Sequence, residues 1–458
     1  MKYKSYNIRN IDEIKQLSRL SKSQRHDIDI VARVLPFKTN NYVVDELINW
    51  DHYEDDPIFV LNFPQRGMLT EDHYNQVSEL VQSGADRATL SQHIYSIRME
   101  LNPHPAGQRE FNIPILNGEK VHGMQHKYRE TVLFFPSQGQ TCHAFCTFCF
   151  RWPQFTGINE LRFAMKQADL LVEYIRRNPG VTDVLFTGGD PMVMSAGILG
   201  GYINTLLEAR LPNLRNIRIG TKSLAFWPYR YLTDNDSVDI LNLFKKVTDS
   251  GKHLAFMAHF SHPAELKTTA VQEAIGKVME TGAKIRTQSP ILNHINADPF
   301  IWAEMWKKQV SLGLIPYYMF VPRDTGARHF FILPLYRSFE IYRNAYRQVS
   351  GICRTVRGPS MSASPGKIQI VGTAKIHGEK VFVLRFLQGR NPEWVGKPFF
   401  AVYNEKAQWL TDLKPAFGRS EFFYSEEFRN MLKIKEDSMK MYRDELNSKF
   451  DISPDNIK

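Results

Sequence analysis

The chain has 458 residues, 43% of them hydrophobic and 23% charged, which is the composition of an ordinary soluble globular protein. No apolar run approaches the length that spans a bilayer, and the polar start MKYKSYNIRN lacks the apolar core of a signal peptide, so we predict a cytoplasmic protein without membrane segments. The net charge of +10 would suit anionic cofactors or an acidic partner, but no basic run with interleaved aromatics occurs, so nucleic-acid binding is not predicted.

The first predicted region, residues 1–125, is mainly helical. Helical periodicity covers residues 11–21, 72–84 and 88–98. The proline-rich passage NPHPAGQREFNIP then marks a joint in the chain. This region carries no obvious chemistry, and we expect it to cover the domain that follows.

The second predicted region, residues 126–375, alternates short apolar strands with amphipathic helices. The predicted strands are 132–135, 184–187, 217–220, 254–259, 285–288 and 316–321. Gly251, Gly282 and Gly313 follow predicted helix ends, where glycine relieves left-handed backbone strain. Six such βα units wind a parallel sheet with right-handed crossovers. We therefore predict an α/β fold built on a partial (β/α)6 barrel of TIM type, with functional groups at the carboxyl ends of the strands.

The third predicted region, residues 376–458, is a small C-terminal extension. It opens with the strand-like segment KVFVLRF and ends in a charged helix over residues 425–449. We expect this extension, like the N-terminal region, to cover the barrel.

Three cysteines, Cys142, Cys146 and Cys149, follow the first barrel strand with the spacing C-x3-C-x2-C. Three thiolates can hold three corners of a 4Fe-4S cluster and leave the fourth iron open to a small molecule. The spacing is typical of radical S-adenosylmethionine (SAM) enzymes and predicts these residues as metal ligands. A structural zinc site is the alternative, but it needs a fourth ligand, which His143 could supply only awkwardly, and Cys353 is distant in sequence.

The second barrel strand ends in Gly188, Gly189 and Asp190, within TGGDP. Two glycines allow the backbone to approach a ligand without intervening side chains, and carbonyl groups there could hold the amino group of SAM. A Gly-Gly turn after a strand is also common as a purely structural feature. Its place one βα unit after the cysteines favours the cofactor.

An ordered set of motifs extends this interpretation. The segments are HKYRETVLFFPSQGQTCHAFCTFCFRW, TDVLFTGGDP, NIRIGTKS, AHFSHPAEL, RTQSPILNHIN and IPYYMF. Together they resemble the lysine 2,3-aminomutase family over about residues 110–390. The resemblance implies a radical SAM barrel and SAM-binding positions at Gly188, Gly189, Asp190, His259 and Gln288.

The resemblance also implies pyridoxal 5'-phosphate (PLP) as a second organic cofactor. The lysine that links to PLP follows a glycine-rich run in the family, and RGPSMSASPGKIQIVG places Lys367 there. Lys127 and Tyr128 match a segment that contacts the cofactor in relatives. Thr131 departs from the family, which often has a phosphate-binding arginine at this position.

Further positions bear on the substrate. Arg151 matches the arginine that pairs with the substrate carboxylate, a role that suits a planar guanidinium. Where lysine-using members have acidic residues, this chain has Arg323 or Asp324 in VPRDTG, and Arg357 or Ser360 in TVRGPSM. A buried ammonium without a carboxylate would cost on the order of several kcal/mol, so an acidic or neutral substrate side chain is predicted rather than that of lysine. The family's cysteine-rich zinc-binding tail is missing.

The resemblance implies an enzyme that moves an amino group between adjacent carbons of a small amino acid, through a 5'-deoxyadenosyl radical and a PLP aldimine. A flavodoxin- or ferredoxin-type protein would donate the electron, and a homo-oligomer is expected. One alternative is a PLP-independent radical SAM enzyme that acts on another small or carrier-bound molecule. Another is a non-catalytic iron-sulfur or zinc protein that uses the barrel as a binding module.

Overall fold

The computed structural model describes residues 1–102, 111–158 and 163–435. Its strands are β1 (Ser5–Asn7), β2 (Lys38–Asn40), β3 (Ile115–Leu116), β4 (Glu119–Lys120), β5 (Met124–Tyr128), β6 (Thr131–Phe134), β7 (Asp183–Phe186), β8 (Asn216–Thr221), β9 (His253–His259), β10 (Lys284–Pro290), β11 (Ile315–Phe320), β12 (Arg357–Ser362), β13 (Gly366–Ile376), β14 (Glu379–Gly389) and β15 (Pro398–Val402). Its helices are α1 (Lys22–Val34), α2 (Pro57–Asn62), α3 (Glu71–Gln82), α4 (Arg87–Glu100), α5 (Ala168–Arg177), α6 (Ala196–Glu208), α7 (Ser223–Phe226), α8 (Ser237–Asp249), α9 (Thr269–Glu280), α10 (Pro299–Ser311), α11 (Arg328–Phe331) and α12 (Leu335–Tyr346), followed by helical residues 425–435. Within the described ranges, no helix combines the length and the apolar character needed to cross a membrane.

One mixed sheet of eleven strands organises the fold, and its strands lie side by side in chain order from β5 to β15. Strands β6 to β12 pair in parallel, and helices α5 to α12 lie in the connections between them. All six predicted strands are confirmed. The parallel run has a seventh member, β12, which the sequence did not predict because RGPSMS is rich in residues that disfavour strands.

Side-chain alternation gives the parallel strands two distinct faces. Ile217 and Ile219 of β8 are buried in the main hydrophobic core. Arg218 and Gly220 point to the opposite side, because successive strand residues face opposite ways. We call this second side the inner face, and it also carries Met257 of β9, which lies outside that core cluster.

The predicted helix ends are confirmed in detail. Gly251, Gly282 and Gly313 have φ values of +80°, +87° and +79°, a backbone conformation that favours glycine. Helix α5 buries Leu171 and Ile175 on one face, as the apolar spacing predicts.

The C-terminal strands continue the same sheet. The predicted segment KVFVLRF forms the middle of β14, which pairs antiparallel with β13 and β15. Phe382, Leu384 and Phe386 bury their side chains with Trp394 in a second hydrophobic cluster. The predicted boundary between 375 and 376 falls inside β13, just before that strand ends. Of the predicted helix 425–449, residues 425–435 are helical and the others lie outside the described residues.

The N-terminal region packs onto the parallel sheet. The predicted helices 72–84 and 88–98 correspond to α3 and α4, whereas the segment 11–21 forms two short 3-10 turns. Ser21 then caps α1, because its side chain accepts a hydrogen bond from the Gln24 backbone. Most of the proline-rich passage lies outside the described residues. Buried residues such as Ile30 and Phe59 belong to the same hydrophobic cluster as the parallel strands.

Candidate active site

The sequence-predicted motifs meet at the carboxyl edge of the parallel strands. Residues 136–150, here called the cysteine loop, follow β6, and residues 187–191, here called the glycine loop, follow β7. His259 ends β9, and Gln288 lies near the end of β10. Since neighbouring parallel strands end at one edge, these groups from distant parts of the chain come together.

The three cysteines are free thiols of intermediate solvent exposure. Burial raises the pKa of Cys142, Cys146 and Cys149 above the ordinary thiol value, and the other thiols raise that of Cys142 further. Among the described residues, no three side chains of ligand type converge closely enough to bind one metal ion. A zinc site needs such convergence, whereas a cubane cluster does not, because each cysteine binds a different iron atom.

The N-terminal region holds the cysteine loop through backbone hydrogen bonds. Lys38 Nζ donates to the Cys142 carbonyl at 2.7 Å, and the Phe145 N–H donates to the Lys38 carbonyl at 2.7 Å. Tyr3 Oη and Asn40 Nδ2 both donate to the His143 carbonyl, at 2.8 Å and 3.2 Å. No local sequence pattern indicates this support, because these contacts join residues more than 100 positions apart.

His143 is placed as a structural residue. Its ring packs edge-to-face against Tyr3, with ring centroids 5.7 Å apart. Burial lowers the pKa of the imidazole to about 3, and Lys38 and Arg230 lower it further, so the ring is neutral at pH 7. The His143 ring therefore packs against the N-terminal region.

The two glycines of the glycine loop allow close packing against the cysteine loop. A Cβ atom added at Gly188 would collide with the Gln140 side chain, and one added at Gly189 would collide with the Thr141 backbone. The Gly189 and Asp190 N–H groups donate to the carbonyls of Gly139 and Thr141, at 3.2 Å and 2.6 Å. The missing side chains therefore make room for the neighbouring loop, in addition to any ligand.

Asp190 links the glycine loop to the end of β8. Its carboxylate accepts hydrogen bonds from the backbone N–H groups of Met192 and Lys222, at 2.9 Å and 2.8 Å. The Thr221 hydroxyl donates to both carboxylate oxygens, at 2.7 Å and 2.8 Å. Burial raises the pKa of Asp190, and these hydrogen bonds oppose the rise. The side chain thus fixes two loops relative to each other.

His259 and Gln288 lie beside the cysteine loop. They are register partners in the parallel pair β9–β10, and the ring of His259 packs against Phe148, with ring centroids 5.7 Å apart. Burial lowers the pKa of His259 well below its ordinary value, and the nearby Lys222 ammonium lowers it further. A neutral imidazole next to the cysteine loop is able to accept a hydrogen bond from a ligand.

Arg151 and Arg323 lie on the same aromatic ring. Their guanidinium carbons are 5.0 Å and 4.7 Å from the centroid of Phe150, and Arg151 also lies 4.5 Å from the centroid of Phe135. Burial lowers the pKa of each arginine to about 10, and Arg323 contributes to the lowering at Arg151. Two partly desolvated cations at one ring form a site for an anionic group.

The other residues predicted to bind substrate, Asp324, Arg357 and Ser360, do not lie together at the ring of Phe150. Asp324 follows Arg323 and partly opposes the lowering of the Arg323 pKa. Arg357 begins β12 and lies against Tyr317, with its Nη1 3.4 Å from the tyrosine hydroxyl. Ser360 is fully buried on β12, where its hydroxyl donates to the Met319 carbonyl. The structure therefore pairs Arg151 with Arg323 and places Arg357 at the opposite end of the strands.

Lys367 carries a buried amine. Its Nζ lies 4.0 Å from the ring centroid of Tyr318 and 5.6 Å from that of Phe320. Burial, together with the charges of nearby guanidinium groups such as that of Arg323, lowers its pKa to about 7. Within the described ranges, no carboxylate forms an ion pair with it. A neutral buried amine is the form that condenses with an aldehyde.

Lys127 and Tyr128 lie close to these cations. Lys127 Nζ donates to the Ala363 carbonyl, and burial lowers its pKa well below the ordinary value. Lys367 and Arg323 contribute to that lowering. Burial raises the pKa of Tyr128, and Arg323 opposes the rise. The predicted cofactor contacts on β5 thus adjoin Lys367 and Arg323.

Thr131 has an arginine partner from another strand. Arg218 Nη2 donates to the Thr131 hydroxyl at 3.3 Å, and Arg218 Nε donates to Asp183 at 2.6 Å. The guanidinium group of Arg218 therefore lies next to Thr131, the position at which the family often has an arginine. The sequence motifs did not single out Arg218, because its contact with Thr131 spans 87 positions.

Known proteins similar to this chain are named as aminomutases. A protein of Aquifex aeolicus named "Putative L-lysine 2,3-aminomutase" is 29% identical over 88% of this chain and 95% of its own length. The L-lysine 2,3-aminomutase of Clostridium subterminale is 28% identical over 51% of this chain and 52% of its own length. The glutamate 2,3-aminomutase of Clostridioides difficile is 32% identical over 35% of each chain. None of the known protein-family models matches the chain.

Solved structures show weaker similarity. SuiB of Streptococcus suis, bound to its precursor peptide SuiA, matches 59% of this chain and 56% of its own with a TM-score of 0.34 and 11% identity. The radical SAM methyltransferase TsrM of Kitasatospora setae matches 42% of this chain and 36% of its own with a TM-score of 0.28 and 11% identity. These values are too low to support an inference about this chain. Over nearly its whole length the chain is similar to the Aquifex aeolicus protein, which is named as a putative L-lysine 2,3-aminomutase, and over about half its length it is similar to an L-lysine 2,3-aminomutase.

Proposed function

We propose that this protein is a radical SAM isomerase that moves an amino group between adjacent carbons of a small amino acid. The observation that carries the proposal is that the cysteine loop and the paired guanidinium groups of Arg151 and Arg323 lie at one edge of the sheet, while the amine of Lys367 is close enough to Arg323 for the two charges to interact. The names of the similar proteins supply the reaction class.

The cysteine loop suits a 4Fe-4S cluster. Cys142, Cys146 and Cys149 would hold three irons, in a loop that the N-terminal region fixes through hydrogen bonds. The glycine loop, His259 and Gln288 would hold SAM beside it. When bound, the cluster supplies an electron, SAM supplies a hydrogen-abstracting radical, and PLP supplies a carbon that carries the migrating amino group. The parallel order of β6 to β12, with helices in each connection, supports a partial barrel around this site.

Lys367 would hold PLP. Its depressed pKa and its position among aromatic rings suit a lysine that links to an aldehyde and is displaced by substrate. Tyr128 and Lys127, on the neighbouring strand β5, would line the same cofactor.

The substrate would carry an acidic or a neutral side chain. Arg151 would bind the α-carboxylate in a bidentate manner, and Arg323 would bind a second anionic group beside it. A lysine substrate would instead place its ammonium near a buried guanidinium, which costs free energy in a poorly solvated site. One of the similar proteins is named as a glutamate 2,3-aminomutase, so a protein with an acidic substrate occurs among the matches beside those named for lysine.

Anaerobic reconstitution of the full chain tests the proposal. We expect about four irons per chain, cleavage of SAM to 5'-deoxyadenosine, and a shifted amino group in products from glutamate, aspartate or neutral amino acids. Borohydride reduction in the presence of PLP should label Lys367. A preferred turnover of lysine would overturn the substrate assignment, and absence of SAM cleavage would overturn the enzyme class. The electron donor and the oligomeric state stay predictions.

A PLP-independent radical SAM enzyme is the second candidate, and Thr131 is the observation that favours it. The position lacks the arginine that often binds phosphate in the family, and the threonine hydroxyl is instead bonded to Arg218. Cleavage of SAM without any covalent PLP adduct would support this candidate over the first.

A further inference from the structure

A basic cavity lies at the amino-terminal ends of the parallel strands, at the opposite end from the cysteine loop. Its volume is about 210 Å³. The cavity is lined by Asp183, Asn216, Arg218, His253, Arg286 and Tyr317, together with Ala255, Met257 and Arg357. These residues come from strands β7 to β12, so the cavity belongs to the sheet itself and to no single loop.

The charges around this cavity are unbalanced. Three guanidinium groups line it, whereas the lining contains one carboxylate, that of Asp183, which Arg218 binds at 2.6 Å. Arg286 and Arg357 lie against the ring of Tyr317, with guanidinium carbons 5.3 Å and 4.8 Å from its centroid. Among the described residues neither of them forms an ion pair with a carboxylate. The cavity therefore has an excess of two fixed positive charges.

The pKa of His253 is also affected by the positive charges around the cavity. Burial lowers the pKa of His253, which lines the cavity, and the charges of Arg286 and Lys284 lower it further against the opposing effect of Asp183. At pH 7 this imidazole is neutral, and it does not add to the excess charge. A phosphate dianion is the ligand class that best neutralises clustered guanidinium groups.

The cavity continues the inner face that carries the candidate active site. Met257 lies two residues before His259 on β9, and Arg286 lies two residues before Gln288 on β10. Side chains two positions apart on a strand share one face. A ligand on this face can therefore extend from the cysteine loop toward the cavity.

The amine of Lys367 lies between the cavity and the cysteine-loop end of the parallel strands. Its Nζ is 4.0 Å from the centroid of Tyr318, and the guanidinium carbon of Arg357 is 5.8 Å from the same centroid, so the two cations are within about 10 Å of each other. Arg218 also reaches across the inner face to Thr131. The residue that would bind the aldehyde of PLP thus has guanidinium groups within the span of one small cofactor.

We propose that Arg218, Arg286 and Arg357 bind the phosphate group of PLP, with its aldehyde at Lys367. This inference rests on the proposed function, since it requires PLP at Lys367. It assigns to the cavity the phosphate contacts that Thr131 does not provide. Arg151 and Arg323, on the cysteine-loop side, then bind the substrate carboxylates and not the phosphate group.

Comparison of PLP with pyridoxal, which lacks the phosphate, tests this assignment on the full-length chain. The affinity for each aldehyde is measured by fluorescence titration, and the adduct at Lys367 is counted by mass spectrometry after borohydride reduction. We expect Arg286→Gln and Arg357→Gln each to weaken PLP binding about tenfold and to leave pyridoxal binding unchanged. Arg286→Lys should recover part of the affinity, and Arg343→Gln, on the exposed side of α12, should change neither ligand.

The possible outcomes separate this inference from the proposed function. Equal affinities of PLP and pyridoxal for the parent chain, or PLP binding unchanged in the folded double variant Arg286→Gln/Arg357→Gln, would overturn the phosphate assignment while the link to Lys367 stands. Absence of an adduct with either aldehyde would overturn both. Inorganic phosphate should compete with PLP in the parent chain and lose this effect in the double variant. Binding of inorganic phosphate through these arginines to the PLP-loaded chain would show a separate anion site and overturn the assignment.

Discussion

The amine of Lys367 lies in a setting that favours its neutral form. Burial lowers its pKa to about 7, and the guanidinium groups of Arg218, Arg357 and Arg323 repel the protonated amine. The aromatic rings of Tyr318 and Phe320 contact the Nζ without accepting its protons as a carboxylate would. An ordinary surface lysine stays protonated up to about pH 10.

This setting predicts how attachment of PLP depends on pH. A lysine with a pKa of about 7 is half deprotonated near pH 7, so the reactive amine increases mainly between about pH 6 and pH 8 and is almost fully formed above about pH 8. We expect the rate of covalent attachment to follow this curve, as measured by the absorbance of the PLP–lysine linkage. A rate that keeps rising to about pH 10 would contradict the assignment.

Lys127 provides an internal comparison for that measurement. Burial lowers its pKa as well, but its Nζ donates to the Ala363 carbonyl and is held away from free attack. We therefore expect Lys367→Ala to abolish the adduct and Lys127→Ala to preserve it. An adduct that survives Lys367→Ala would assign the cofactor to another lysine.

The pair Arg151 and Arg323 determines the expected substrate charge. Both guanidinium groups lie on Phe150, where burial lowers the pKa of each to about 10. Arg323 contributes to the lowering of the Arg151 pKa, so the two guanidinium groups repel each other. A substrate with two carboxylates would relieve this repulsion.

Arg323→Asp should reverse the preference for acidic substrates. Breaking a buried charge pair costs about 3–5 kcal/mol, which corresponds to a loss of about a hundredfold or more in kcat/KM for glutamate or aspartate. Turnover of lysine should rise, because a carboxylate replaces the guanidinium group. Arg323→Lys is the control, since it keeps the charge and loses only the bidentate geometry. An unchanged ratio of glutamate to lysine turnover in anaerobic assays would exclude Arg323 from substrate binding.

At the scale of elements, the glycine loop packs closely against the cysteine loop and helps to position it. The Thr141 backbone occupies the space where a side chain at residue 189 would begin, and the glycine loop donates two backbone hydrogen bonds to the cysteine loop. A change in the glycine loop is thereby transmitted to the cysteines. If the cysteines hold three corners of one cluster, as proposed, a small displacement of their loop should lower the affinity for the cluster.

Gly189→Ala should therefore impair cluster assembly. The added Cβ overlaps the Thr141 backbone, and relieving this overpacking costs about 1–3 kcal/mol and moves the cysteine loop. We expect the iron content after anaerobic reconstitution to fall several-fold while the circular dichroism stays that of the parent chain. Gly197→Ala on α6 is the matched control, because nothing lies within 4 Å of its added Cβ. Full iron loading of Gly189→Ala would show that the loop contact is not needed.

The parallel strands were predictable from sequence because their apolar runs and helix-ending glycines are local signals. β12 was not, since RGPSMS becomes a strand only by pairing with β11 and β13. The cysteines and the glycine loop were found through their spacing and their place after strands. The pairing of Arg151 with Arg323 and the role of Arg218 depend on contacts between distant segments, which no local pattern encodes.

At the scale of the whole molecule, the N-terminal region completes the support of the candidate site. Its buried residues share one hydrophobic cluster with the parallel strands. Its polar residues Tyr3, Lys38 and Asn40 bind carbonyl groups of the cysteine loop. The sequence predicted a covering role for this region, and the structure adds that it fixes the backbone around Cys142 and His143.

The side chain of Asn40 contacts the N-terminal region, the cysteine loop and helix α7 at the same time. It is fully buried, and its Nδ2 donates to the carbonyls of His143 and Phe226, at 3.2 Å and 2.9 Å. Its Oδ1 accepts from the Val43 N–H at 3.0 Å. One side chain therefore joins the N-terminal region, the cysteine loop and helix α7.

Asn40→Ala should weaken both the fold and the cluster site. The substitution leaves buried carbonyl and N–H groups without these partners, so we expect the free energy of unfolding to fall by about 1–3 kcal/mol. Freed from this contact, the cysteine loop should also retain less iron during gel filtration under anaerobic conditions. Asn41→Ala is the matched control, because the Asn41 side chain bonds to Lys2 and Lys4 within the N-terminal segment and does not reach the cysteine loop. Equal iron retention by the two variants would show that the N-terminal region covers the site without positioning its cysteines.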